Sequence, residues 1–224
     1  MTTTYDLTQT PLRAVNAALH ADGLSGEYVI NKPFGAHNVA VGVNAAVTIT
    51  VNGHVGYYAA GMNQLADVTI NGNAGQGVAE NMMSGRVHVT GSASQSAGAT
   101  GRGGLLVIDG DAAARCGISL KGLDIVVGGS IGHMSMFMAQ AGRLVVRGDA
   151  GDALGDSLYE ARIYLRGTAR SLGADCVAKE MRPEHLEELA GLLKAAGYEE
   201  DDPASYQRYG SARRLYHFAH DNEY

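Results

Sequence analysis

Three stretches of the chain carry residue types that could do chemistry. Val68 to Gly85 reads VTINGNAGQGVAENMMSG, a β-branched run followed by glycines at 72, 75 and 77. A strand that enters a glycine-rich turn can cradle a pyrophosphate, because bare backbone N–H groups approach the phosphate closely. His133-Met134-Ser135-Met136-Phe137-Met138 gathers one imidazole and several thioethers, donors that favour copper. Asp109, Asp111, Asp149, Asp152 and Asp156 invite comparison with calcium-binding β-rolls.

Each reading meets an obstacle in the pattern itself. The glycines of the first stretch are spaced G-x-x-G-x-G instead of G-x-G-x-x-G, and only VAENMM separates Gly77 from Ser84, which leaves no room for the helix that a dinucleotide loop needs. Met at alternate positions puts three thioethers on one face of an extended segment, a pattern used for packing in a core or against a partner. Calcium β-rolls repeat every nine residues with Asp at a fixed place, and no such period is present. Cys116 and Cys176 form neither a disulfide framework nor a zinc pattern. The eight histidines do not cluster with ligand spacing, and no Ser-His-Asp order or nucleophile elbow occurs. The expectation is no catalytic, cofactor-binding or metal-binding residue in this chain.

Composition narrows the class further. The formal charge is −6 with no run of Lys or Arg, so neither nucleic acid nor an anionic membrane surface is expected as a partner. No apolar run approaches the roughly 20 residues that span a bilayer, nothing at the N-terminus resembles a signal peptide, and the expected location is the cytoplasm. The 31 glycines among 224 residues, against four prolines, point to a fold that needs glycine structurally.

The repeat supplies that fold. Glycine closes a β-branched run at Gly53, Gly72, Gly91, Gly110, Gly129, Gly148 and Gly167, each 19 residues after the last. Four positions earlier stand Ile49, Val68, Val87, Leu106, Ile125, Leu144 and Ile163; two positions earlier stand Val51, Ile70, Val89, Ile108, Val127, Val146 and Leu165. The position after the glycine is polar in all seven units (His54, Asn73, Ser92, Asp111, Ser130, Asp149, Thr168), and the next is Val, Ile or Ala. This alternation is a half-buried strand repeated once per unit.

A unit this short has no space for a crossover helix, so the units must stack as coils of an all-β, right-handed, single-stranded β-helix. Seven coils at the usual strand spacing give a prism on the order of 34 Å long. Further glycines, such as Gly56, Gly75, Gly98, Gly117, Gly85 and Gly104, read as corners with positive φ. Cys116 aligns with Ala59, Val78, Ala97 and Leu154 as a small inward residue.

The ends differ from the coils. Residues 1–30 form an N-terminal cap with a short helix, Thr10 as its N-cap and Pro11 at its first position. Residues 31–178 form the solenoid. Residues 179–224 form a C-terminal region whose helix runs from Pro183 to Ala196 and stops at Gly197, followed by an extended, charged, tyrosine-rich tail. Both helices are expected to cover solenoid ends, where an unpaired strand and apolar interior would otherwise face water.

Segments such as AGQGVAENMMSGRVHVTG, GDAAARCGISLKGLDIVVGG and AGRLVVRGDAGDALGDS resemble the C-terminal GXGXG domain of the glutamate synthase large subunit, here as a stand-alone protein. The resemblance covers roughly residues 30 to 178 and extends to YGSARRLYHF near the end of the chain. GHVGYYAAGMNQL, ENMMSGRV, ASQSAGAT, GGSIGHMSMFMAQAG and SLGADCVAKEM look most like the middle subunit of N-methylglutamate synthase. That resemblance implies a non-catalytic scaffold for a complex that makes N-methylglutamate from glutamate and methylamine. It would join an amidotransferase-like subunit to a synthase-like subunit carrying FMN and an iron–sulfur cluster, with no cofactor on this chain. The same repeat in the C subunits of formylmethanofuran dehydrogenase and of the formyltransferase/hydrolase complex implies an alternative assignment. Under either, Tyr57, Tyr58, Met62, Met134, Met136 and Met138 are of the residue types expected at partner contacts.

Overall fold

The structure, a computed structural model, describes residues 2–213. It is mostly sheet: eleven strands, all in one sheet, and two α-helices. Seven strands belong to the repeat: β3 (Thr48–Asn52), β4 (Asp67–Asn71), β5 (Arg86–Val89), β6 (Leu105–Ile108), β7 (Lys121–Val127), β8 (Ala141–Val146) and β9 (Arg162–Leu165). They pair in parallel with the repeat's own offset, Ile49 to Val68 to Val87 to Leu106. The all-β solenoid expected from the repeat is present.

Packing explains the columns. Ile49, Val68, Val87, Leu106, Ile125, Leu144 and Ile163 are all fully buried, so each coil stacks an aliphatic side chain on its neighbours. The residues two after each glycine form a second parallel ladder of single bridges from Val55 to Ala169. The repeat glycines themselves hydrogen-bond in a file, for example Gly110 N–H to the Gly91 carbonyl at 2.9 Å and Gly129 N–H to Gly110 at 2.9 Å. A Cβ on Gly110 would lie 3.0 Å from that Gly91 carbonyl, tighter than a relaxed packed contact.

The corners differ from the sequence expectation. Gly56 and Gly75 have no positive φ, whereas Gly98, Gly117, Gly85 and Gly104 do. The first two are required by close approach: a Cβ on Gly75 would meet the backbone of Gly56 and Tyr57, and one on Gly56 would meet the His37 ring and the Gly35 carbonyl. Left-handed conformations recur five, seven and nine positions after the repeat glycine and fall largely on other residues, such as Tyr58, Ala60 and Met62 or Met134, Met136 and Met138. Inter-coil hydrogen bonds hold them there: Met134 N–H donates to Asp152, Met136 N–H to Cys116 and Met138 N–H to Asp156, at 2.8, 2.8 and 2.9 Å. Alternate residues thus bond up and down the stack, and the local strain of each is offset by pairing on both sides.

The N-terminal region is part of the sheet as well as a cap. β1 (Thr2–Asp6) and β2 (Glu27–Asn31) extend the parallel ladder ahead of β3. Between them α1 (Leu12–Ala18) has Pro11 at its N-cap position and no side-chain cap, so Thr10 does not cap it. Val15 and Leu19 are buried in the solenoid core. Asn16 stands in for a missing coil: its Nδ2 donates to the Asn38 carbonyl at 2.8 Å and its Oδ1 accepts from Ala40 N–H at 3.1 Å. Asn16→Ala leaves both backbone groups unpaired at a partly buried end and is expected to cost about 2 kcal/mol, read as a lower midpoint in urea with an unchanged slope.

The C-terminal helix corrects the expectation of an end cap. α2 (Pro183–Ala196) closes at Gly197, φ +88°, as the sequence indicates. It lies on the outer face of the sheet, where Leu189, Leu192, Leu193 and Ala196 pack with Val107, Val126, Val145 and Tyr164. The tail is not simply extended along the solenoid either. After a 3-10 turn (Pro203–Ser205), β11 (Gln207–Ser211) inserts antiparallel between β9 and β10 (Cys176–Lys179). The residues RLYHF, the rest of the segment quoted above, lie outside the described residues.

Candidate functional site

The glycine stretch at 72–77 has no free cradle of N–H groups. Ala74 N–H donates to the Ser92 carbonyl, Gly75 N–H to Val55 and Gly77 N–H to Gln95, at 2.9, 3.0 and 2.9 Å. The segment is a corner of a coil, and its donors hold the neighbouring coils.

The polar column after each glycine is similarly occupied. His54 Nδ1 accepts from Asn73 N–H at 2.9 Å, Asn73 Oδ1 from Ser92, Ser92 Oγ from Asp111, Asp111 Oδ1 from Ser130, Ser130 Oγ from Asp149, and Asp149 Oδ1 from Thr168. Any short acceptor satisfies this rung, which is why the column tolerates His, Asn, Ser and Asp. The Thr168 N–H and hydroxyl hold the Asp149 carboxyl below the usual range.

The remaining acidic residues also have structural partners. Asp109 accepts from the Tyr198 hydroxyl at 2.9 Å and meets His88 Nε2 at 2.9 Å. Asp152 meets Ser171, and Asp156 meets Ser157 and Ala174 N–H. Among the described residues no group of three or more His, Cys, Asp or Glu could hold a metal ion.

Both cysteines are buried and free. Burial pushes the Cys116 thiol up to about 12 and Cys176 up to about 11, the opposite of what thiolate chemistry requires.

The six expected contact residues separate in the structure. Tyr57, Met62 and Met138 are exposed, and Tyr58 and Met134 are intermediate, Tyr58 receiving a hydrogen bond from Asn81 at 3.0 Å. Met136 is fully buried in the core, so it is no contact residue. The reason is backbone geometry: the 133–138 segment is a left-handed corner rather than an extended run, and its thioethers do not share one face. Sequence reasoning missed Phe34, Leu65 and Met83, all exposed and apolar. Around the early coils these join Tyr57, whose ring lies 4.1 Å from that of His37 between centroids, and Met62.

A sizeable cleft lies elsewhere, on the outer face of the last strands beside the start of α2. It encloses about 790 Å³ and is lined by Arg162, Lys179, Arg182, His185, Arg208 and Arg213 among others. These residues come from scattered positions in the last third of the chain, and no spacing in the sequence unites them.

The chain is 62% identical over 222 residues to Protein GlxC of Rhizobium meliloti (strain 1021), a match spanning 97% of this chain and 96% of that protein. The chain belongs to the GlxC family. No protein-family model matches this chain, and no solved structure matches it. Among the described residues no helix is long and apolar enough to cross a membrane.

Proposed function

We propose that this GlxC-family chain is a non-catalytic scaffold subunit of a glutamate synthase-related complex of the N-methylglutamate synthase kind. It holds an amidotransferase-like subunit and a synthase-like subunit that carries FMN and an iron–sulfur cluster, and it orients them for conversion of glutamate and methylamine to N-methylglutamate and ammonia. The GXGXG resemblance motivates the reading, and one observation carries it. Tyr57, Met62, Leu65 and Met83 project from the early coils, each at least 39% exposed, on a backbone stiffened by continuous inter-coil bonding. Adaptable methionine and rigid tyrosine on a stiff support are the side chains that anchor protein interfaces.

The test is purification of the native complex and identification of the co-eluting chains. Amidotransferase-like and flavoprotein partners, together with N-methylglutamate formation from glutamate and methylamine, are the expected result. Formyltransferase-like partners would assign the chain to the formyl-transfer alternative, and a chain that elutes alone would refute both. Met62→Glu with Met83→Glu is expected to weaken assembly at least tenfold while leaving the melting temperature of the isolated chain within a few degrees, since both side chains are partly solvated.

A further inference from the structure

The cleft at the C-terminal end of the solenoid has a charge pattern that the fold alone does not account for. The chain carries a net −6 with 17 Lys and Arg, yet five of those cations line this one cleft, and among the described residues Glu160 is the only carboxylate in its lining. Lys179 and Arg208 are direct register partners across β10 and β11, which puts two positive side chains on the same face of an antiparallel pair, an arrangement that destabilises a sheet. The other three cations are all paired: Arg162 with Glu188 at 2.7 Å, Arg182 with Glu184 at 3.0 Å, and Arg213 with Asp175. Among the described residues Lys179 and Arg208 have no carboxylate within ion-pair distance; Arg208 Nε donates instead to the Glu180 carbonyl at 3.0 Å.

We propose that this cleft is a binding site for a small polyanion, a molecule bearing two or more carboxylate or phosphate groups. Guanidinium forks from β9, β11 and the start of α2 converge with the Lys179 ammonium, and such forks match both anion types in bidentate geometry. The N-terminal end of the 14-residue α2 faces the same space through Arg182 and His185 and adds the positive end of its dipole. The cleft volume falls in the range of small-molecule sites. Arg208 also carries the mark of its cationic surroundings: burial first, and with it the positive charges of Arg182 and Arg162, push its guanidinium below the ordinary value against opposing pulls from Tyr164 and Glu184. A bound anion relieves that repulsion. The site is independent of the scaffold reading, since an isolated chain either binds or does not.

Calorimetric titration of the full chain with citrate and with pyrophosphate, each against sodium chloride at matched ionic strength, tests the proposal. Saturable one-to-one binding of at least one probe is expected; citrate alone would indicate a carboxylate ligand, pyrophosphate alone a phosphate ligand. Arg208→Gln and Lys179→Gln should each weaken binding at least tenfold, while Arg102→Gln, exposed and outside the cleft, leaves it unchanged. Without anion, either cleft variant should melt at or above the temperature of the unaltered chain, because like-charge repulsion is removed; a purely structural role for these cations predicts the reverse. Absence of saturable binding, equal response to sodium chloride, or full binding by both cleft variants would overturn the proposal.

Discussion

Gly75→Ala is expected to lower the stability of the chain by about 3 kcal/mol, the upper range for an overpacked core. In a protein of this size that is a fall of roughly 6–12 °C in melting temperature. The added Cβ would meet only backbone: the Gly56 carbonyl carbon at 2.5 Å, its oxygen at 2.7 Å and Tyr57 N at 2.7 Å. No side chain can swing away, and the first coil is itself held on its other side, where Gly56 N–H bonds to the Ala36 carbonyl at 2.7 Å. The strain must therefore spread through several coils or break the Gly75 bond to Val55. Gly191→Ala is the matched control. Gly191 is exposed in the middle of α2 with nothing within 4 Å of an added Cβ, so the change removes a helix-weakening residue and should stabilise by about 0.5–1 kcal/mol. Thermal unfolding of both variants decides the matter; equal melting of Gly75→Ala and the unaltered chain would rule out close coil approach as the reason for these glycines.

Asp201→Asn is expected to cost about 3 kcal/mol, because it removes one partner of a buried ionic hub. The Asp201 side chain is only 5% exposed. It accepts from Arg147 Nε at 2.7 Å, from Arg166 Nη1 at 3.0 Å and from the Tyr206 hydroxyl at 2.7 Å, and Arg147 in turn lies 4.1 Å from the centroid of the Tyr198 ring. These contacts fasten the segment between α2 and β11 to the coils. The Arg147 hydrogen bond, followed by those of Tyr206 and the charge of Arg166, holds the Asp201 carboxyl at about 2. A carboxyl lowered in the folded state contributes stability that is fully present above its unfolded value near 4 and is lost as pH falls towards 2. Arg166 is partly solvated, which reduces this contribution to the order of 1–2 kcal/mol. The stability gap between the unaltered chain and Asp201→Asn should therefore narrow between pH 5 and pH 2. Urea unfolding across that range measures it, and limited proteolysis at pH 7 should cut the variant faster within residues 198–211. A gap independent of pH would exclude the carboxylate as its source.

The cleft and the face beneath α2 show how far residues can be read one column at a time. Three positions before the repeat glycine stand Thr50, Thr69 and His88, then Val107, Val126, Val145 and Tyr164. The switch from polar to apolar on an outward column marks where α2 covers the sheet, and it was available in the sequence. Arg162, Lys179 and Arg208 carry no such mark. They meet because β11 folds back between β9 and β10, a long-range antiparallel pairing that no local period encodes.

What the sequence determined by itself was the coil, with its 19-residue length and inward ladders, and separately the helix Pro183–Ala196 and the N-terminal helix over the first coil. A repeat makes the coil visible, because every coil meets nearly the same neighbours and side-chain choice is tested seven times in one chain; the helices are marked instead by their own proline and glycine signals. Tertiary structure alone decided that the repeat glycines serve close approach, that the polar column is an acceptor ladder, and that α2 lies on a face instead of an end. It also decided that Met136 is core while Met62 is surface, and that five cations share one cleft. The glycine approach and the acceptor ladder act between coils at the repeat's own 19-residue spacing, where the period shows which residues meet but not how closely or through which atoms; the seat of α2 and the shared cleft depend on contacts between segments far apart in the chain, which no period marks.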